Sequence, residues 1–331
     1  MENRTSTLKR FVRSQTFALI LLLIVVVIFF QITSHGIFFN KINLRNVLNS
    51  CVVVTFLAIG EGYLIIYGDI DLSVGNVGTA CGGLLAVASE MWGCPWYLSL
   101  IIAIGTGMIS GLICAFLVNE LNFQPFIATL AMASIGEGMT LVITNGVYVT
   151  LYNKVLCFIG TGKVINNYIP VPVIIAAVFL IVYGIILNKT RFGRSIYLCG
   201  GNRTAARLTG INAKKISYIL YANSGALCAI SGSMLTMRVR SATTAGITEN
   251  QFDGVTSAIL GGISFGGGSG GMFGCFIGLV LLNCFDNGLR LIRVNTYWQT
   301  VASGLLLILA LVFDYINTKR TKAKLMKAAK A

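Results

Sequence analysis

Charge is scarce in this chain. Of its 331 residues only 11% are Asp, Glu, Lys or Arg, the acids number 11 against 25 bases, and there is one histidine. So little charge cannot coat a soluble domain, and apolar runs near the roughly 20 residues that cross about 30 Å of hydrocarbon recur along the whole length. The near absence of histidine bears on chemistry. His35 alone leaves no His-based metal site and no catalytic triad, each of which needs an imidazole set among further ligands or beside a nucleophile. Nine cysteines are present, yet no C-x-x-C and no Cys/His ligand spacing occurs, and most sit inside apolar segments as small apolar fillers. The expectation is a chain with no catalytic residue, no metal and no cofactor of its own.

What is present is apolar: 56% of residues are hydrophobic. The fold class is therefore all-α, a polytopic helical membrane protein. Candidate spans run at 17–33, 46–67, 72–91, 96–119, 125–145, 168–188, 215–236, 252–265, 270–288 and 296–316, about ten in all. The remaining chain divides into a cytoplasmic N-terminal segment 1–16, a transmembrane domain 17–316 containing a cytoplasmic loop 189–215, and a basic cytoplasmic tail 317–331. With both ends inside, the three inner segments hold 17 of the 25 basic residues, which is the asymmetry the positive-inside rule demands. The same clustering explains the net charge of +14 through topology, so nucleic acid is not an expected partner and the bilayer is. The basic start followed by the run from Phe17 to Ile32 resembles a signal peptide, but the run is long and Ser34-His35-Gly36 offers no A-x-A-like cleavage site; it is read as a retained span.

Two spans look broken or partly re-entrant: Asp71–Trp92, studded with Gly75, Gly78, Gly82 and Gly83, and the short segment 252–265 that runs into Gly261-Gly262. Irregular backbone at membrane depth lines a protein-walled or watery path, while glycines can equally serve close helix packing. GxxxG spacings at Gly78/Gly82, Gly107/Gly111 and Gly274/Gly278 suit the latter. Ile59-Gly60-Glu61-Gly62 returns as Ile135-Gly136-Glu137-Gly138, too short a match to establish a duplication. The run Gly266–Gly271 formally contains GxGxxG, but it links two apolar spans instead of a strand and a helix, and the Gly-Lys-Ser/Thr ending of a phosphate loop is missing. ATP chemistry, if any is involved, belongs to another subunit.

Acids within apolar segments carry most information, because each costs about 2.5–3.5 kcal/mol at a helix centre unless paired or wet. Glu61, Asp69, Asp71, Glu137 and Asp253 are the candidates for a solute path, with Asp286 a further acid at depth. They line a path or they pair with Tyr, Asn or Arg neighbours to fix helix register. An intramembrane aspartyl hydrolase built on Asp253 and Asp286 has no supporting motif.

Between Lys189 and Lys215 stand seven bases and no acid. The stretch from Phe192 to Ile211 offers the pair Gly200-Gly201, then Asn202 as an N-cap, then helix formers closed by Gly210, which predicts one or two helical turns on the cytoplasmic face. A short rigid helix between spans can act as a lever.

This loop resembles the cytoplasmic coupling loop of ribose-type (simple-sugar) ABC importer permeases. Asp69-Ile70-Asp71-Leu72-Ser73-Val74-Gly75 is similar to the family's GIDLSVG, Gln124-Pro125-Phe126-Ile127-Ala128-Thr129-Leu130 to its PxFIATL, and Ala258-Ile259-Leu260-Gly261-Gly262 to its VLGG turn, over about residues 45–315. The resemblance implies a bacterial plasma-membrane permease that works with a cytoplasmic ABC ATPase, an extracellular or periplasmic solute-binding protein, and a second permease, identical or not. It implies that ATP is bound by the ATPase partner, and it assigns Gly200, Gly201, Asn202, Arg203, Ala205, Arg207 and Gly210 to the ATPase-facing loop. This chain departs from the pattern at Asp69, where Gly is usual, at Glu137, where Arg is common, at Gln251, a commonly acidic place, and at Ser269 and Gly271, where bases are frequent. Those departures leave the solute open. The competing expectation is an ion-coupled secondary transporter or channel that needs no ATPase.

Overall fold

Apolar runs without strand-like alternation resolve into helices along the chain in a computed structural model, which describes residues 15–164 and 169–328. Most of the expected N-terminal segment and the last three residues of the tail lie outside the described residues. The long helices are α1 (Gln15–Thr33), α2 (Lys41–Tyr67), α3 (Val74–Glu90), α4 (Trp96–Asn119) and α5 (Pro125–Thr144), followed after a short helix α6 (Lys154–Thr161) by α7 (Val171–Lys189). Two short helices, α8 (Arg191–Gly201) and α9 (Arg203–Leu208), precede α10 (Ala213–Val239), α11 (Gln251–Leu260), α12 (Met272–Leu291) and α13 (Thr296–Ala328). Two-residue strands make two small antiparallel pairs, Val149–Thr150 with Ser241–Ala242 and Lys163–Val164 with Ile169–Pro170.

Each of the ten expected spans coincides with a helix. Among the described residues six are long and apolar enough to cross a membrane by themselves: α2, α4, α5, α7, α12 and the Thr296–Ile316 part of α13. Large apolar side chains such as Ile101, Val142, Ile181 and Leu309 are exposed on the outer helices, a surface that suits hydrocarbon and not water. This is a helical membrane protein.

Helix α2 is the core. It starts under an Asn40 cap, whose side chain accepts from the Ile42 N–H, stops at left-handed Gly68 (φ 95°), and is buried along its Cys51–Tyr67 stretch. Helix α10 packs on α2, α3 and α4 together. The approach is backbone to backbone: a Cβ at Gly107 or Gly111 would overlap the carbonyls of Gly225 and Tyr221, and one at Gly82 would come within 2.7 Å of the Gly232 oxygen. Gly274 and Gly278 meet Gly261 and Ser257 in the same way. The glycines of α3 thus serve packing, and the expectation of a broken span there is corrected: α3 is one continuous helix of 17 residues.

The second suspect segment does break. Helix α11 has 10 residues, about 15 Å at 1.5 Å per residue, against roughly 30 Å of hydrocarbon. It is entered through a 3₁₀ turn, Thr248–Asn250, that lies against α3. The Ile247 N–H donates to Thr79 Oγ1 at 3.0 Å and the Thr248 hydroxyl to Asn76 Oδ1 at 2.9 Å, so the irregular backbone is satisfied by protein. At the other end of the chain α13 does not stop at residue 316 but runs on to Ala328, because the basic tail is built of helix formers without Gly or Pro.

Candidate functional site: a helical platform and three separated groups of acids

The loop 189–215 is more helical than its sequence suggests. The Thr190 hydroxyl caps α8 by accepting from the Gly193 N–H at 3.1 Å, and this helix, which the sequence reading did not include, ends on Gly200 and Gly201 just before the expected one. Asn202 leaves helical geometry (φ −162°, ψ 105°) and caps α9, its Oδ1 accepting from the Ala205 N–H at 3.0 Å, as the sequence predicts. Gly210 turns the chain with φ +84°, and Asn212 caps α10 through the Lys215 N–H at 3.0 Å.

This helical pair is seated on the end of α2. A Cβ on Gly200 would overlap the Ile66 carbonyl and sit 2.7 Å from the Gly268 nitrogen. The Gly268 N–H donates to that same Ile66 oxygen at 2.8 Å, and the Tyr197 hydroxyl donates to the Gly270 oxygen at 2.7 Å. The glycine run 266–271, with positive φ at Gly267, Gly268 and Gly270, is therefore a seat for α8, set between α11 and α12. Arg203 closes the joint. Its guanidinium pairs with Asp69 Oδ1 and lies 4.6 Å from the centre of the Tyr67 ring, while the Tyr67 hydroxyl donates to the Ala213 oxygen at 3.0 Å. Burial pushes the Asp69 carboxyl up from its ordinary value, and Arg203 beside it pulls the other way. Ala206 is buried beneath α9, whereas Arg207 is exposed and Leu208 is 86% exposed.

The acids named from the sequence fall in different places. Asp69 belongs to the platform just described. Glu61 and Asp71 are buried together between α2, the start of α3 and α10: Asp71 Oδ1 accepts from the Ser73 N–H at 3.0 Å and its Oδ2 from the Ser224 hydroxyl at 2.9 Å. The Asp71 N–H faces Glu61 Oε2 at 3.5 Å, and Glu61 Oε1 has no hydrogen-bond partner among the described residues. Glu137, despite sharing Ile-Gly-Glu-Gly with Glu61, is exposed on α5 beside exposed Ile135, Met139 and Leu141. Asp253 lines a polar cavity of about 400 Å³ with Glu249, Asp286, Arg238 and Arg290. Three of these cavity residues, Glu249, Arg238 and Arg290, were not singled out from sequence, and Asp286 was noted only as a further acid at depth. Arg238 and Arg290 were signalled only as bases outside the three inner segments, and Glu249 lies outside every predicted span.

Comparison with known proteins fits this arrangement. The family model described as branched-chain amino acid transport system / permease component matches residues 43–311. The chain belongs to that family. It is similar to the ribose import permease of Haemophilus influenzae (34% identical, covering 97% of this chain and 99% of the relative) and to that of Bacillus subtilis (32%, 84% and 86%). It is also similar to the xylose transport system permease of Haemophilus influenzae (29%, 93% and 98%). The resemblance read from the four motifs is thus matched over almost the whole length. The protein is a transport-system permease of the bacterial plasma membrane, crossing it several times, and its relatives are transport components and not enzymes.

Proposed function

We propose that this permease is the membrane subunit of an ATP-driven importer for a monosaccharide or similar small polar solute. A cytoplasmic ABC ATPase docks on α8–α9, an extracellular or periplasmic binding protein delivers the solute, and ATP is bound by the ATPase alone. The observation that carries this reading is the coupling platform. A floppy loop would dissipate a partner's motion, but α8 is locked to the end of the central helix α2 through Gly200, Ile66 and Gly268, so a push on α9 reaches the core of the bundle. Leu208, exposed beside the cation Arg207, offers an apolar knob with a charged flank, the kind of anchor a docking groove takes. The sugar class is supported by the ribose and xylose permeases among the relatives. With both termini inside, as the distribution of bases suggests, the platform, Asp69 and the Lys214–Glu120 pair (2.9 Å) would lie together on the cytoplasmic side.

Glu137 supports a pair of permeases. Facing lipid from within α5, a carboxylate costs about 2.5–3.5 kcal/mol near the centre of the span. A second permease over this face removes that cost and sets Glu137 on the boundary between the two, where a solute path would have a polar wall.

Asn202→Pro with Arg207→Glu tests the docking. The double variant reaches the membrane at ordinary abundance, its partner ATPase still hydrolyses ATP, and uptake is lost; unchanged uptake contradicts the assignment of the loop.

A further inference from the structure

The cavity beside α11 takes no part in docking or pairing, yet its chemistry is specific. It lies between α2, α10, α11, α12 and α13 and has a volume of about 400 Å³, within the range of roughly 300–1,000 Å³ typical of small-molecule sites. Glu249, Asp253 and Asp286 face it, and so do Arg238 and Arg290. No ion pair within 4.0 Å joins these five, since the pairs formed among the described residues are Arg203–Asp69 and Lys214–Glu120. Four of the five are instead held by neutral neighbours, Arg290 donating to Gln299 Oε1 at 3.4 Å. Asp253 accepts from Asn250 at 2.7 Å, Asp286 from Ser303 at 3.2 Å, and Arg238 donates to the Asn49 carbonyl at 2.7 Å. Groups of opposite sign therefore stand around one space without closing on one another.

A ligand that suits such walls must donate and accept in several directions at once. A hydroxyl does both, and a polyol carries several. The apolar share of the lining is Val53 and Leu235, with no aromatic ring, so a branched aliphatic side chain would gain little there. The position also fits entry. Val53 and Tyr67 are 14 residues apart on α2, about 21 Å, which puts the cavity toward the end of the molecule opposite the platform. The broken helix α11 begins in it, with Asp253 in its first turn.

We propose that this cavity is the permease's own binding site for a monosaccharide-sized polyol, whose hydroxyls bridge Arg238 and Arg290 to Asp253 and Asp286. The proposal rests on the importer reading and deepens it by placing the solute. The test introduces Thr300→Cys at the cavity wall and follows its reaction with a membrane-impermeant maleimide added outside, in cells carrying the whole transport system, with the unsubstituted chain as the background for native cysteines. Saturating ribose or xylose slows labelling at least threefold and leucine does not; Ser50→Cys serves as a second reporter should the first variant fail to reach the membrane. Asp253→Asn raises the KM for uptake of the protecting sugar at least fivefold at equal surface abundance. Labelling that neither sugar slows, or that leucine alone slows, overturns the site. Loss of the importer reading shows itself separately, as sugar uptake that persists after the ATPase is removed.

Discussion

Arg203 stands where the proposed docking platform meets a buried charge. The Asp69 side chain is 2% exposed and that of Arg203 46%, and Asp69 Oδ2 has no hydrogen-bond partner among the described residues. Removing the guanidinium strands a carboxylate in the protein, at a cost of about 1–3 kcal/mol for an unsatisfied buried acceptor. Arg203→Met therefore lowers the melting temperature of the detergent-solubilised protein, and Asp69→Asn in the same chain restores most of the loss. Additive losses in the double variant would show that the two residues act independently. The pair also shows what a sequence conceals about single residues. Asp69 was legible as an acid out of place, but its partner lies 134 positions on, and only the fold brings them together. Glu61 and Glu137 carry identical neighbours in sequence, and opposite burial separates them, because α2 is wrapped on all sides whereas α5 turns that face outward.

Helices were the most legible level. An apolar run of about 20 residues is recognisable without knowing its neighbours, and every expected span coincides with a helix. Misreadings arose where glycine has two uses. In α3 it lets backbones touch, and at Gly261-Gly262 it ends a half-length helix; both look alike until the partner helix is known. Gly200 and Gly201 were placed before the Asn202-capped helix, as observed, but the helix that they themselves end was not foreseen, glycine costing about 1 kcal/mol relative to alanine inside a helix. For Gly200 the contact it permits with Ile66 and Gly268 accounts for a glycine there. Gly200→Val forces a side chain into the Ile66 carbonyl and the Gly268 backbone, so α8 lifts off α2 while the spans stay packed. The expected outcome is normal membrane abundance, uptake lost, and faster proteolytic nicking within 189–215; a variant that transports normally would show that the seat transmits nothing.

At the scale of the whole molecule, one end carries a rigid, basic, partly apolar platform and the other a polar cavity, with a buried helix running between them. That layout suits the proposed importer, in which a chain with so few acids and no Gly-Lys-Ser/Thr phosphate-loop ending would receive work done by a partner on the ordered segment 189–215. The cavity was the least legible part, because its walls come from five helices and its two arginines count in sequence only as bases on the less basic side. The most direct test is uptake of radiolabelled ribose and xylose into vesicles containing the purified chain alone, with and without an imposed proton or sodium gradient. The account predicts no accumulation of either sugar under any gradient, and accumulation by the chain unaided would contradict it.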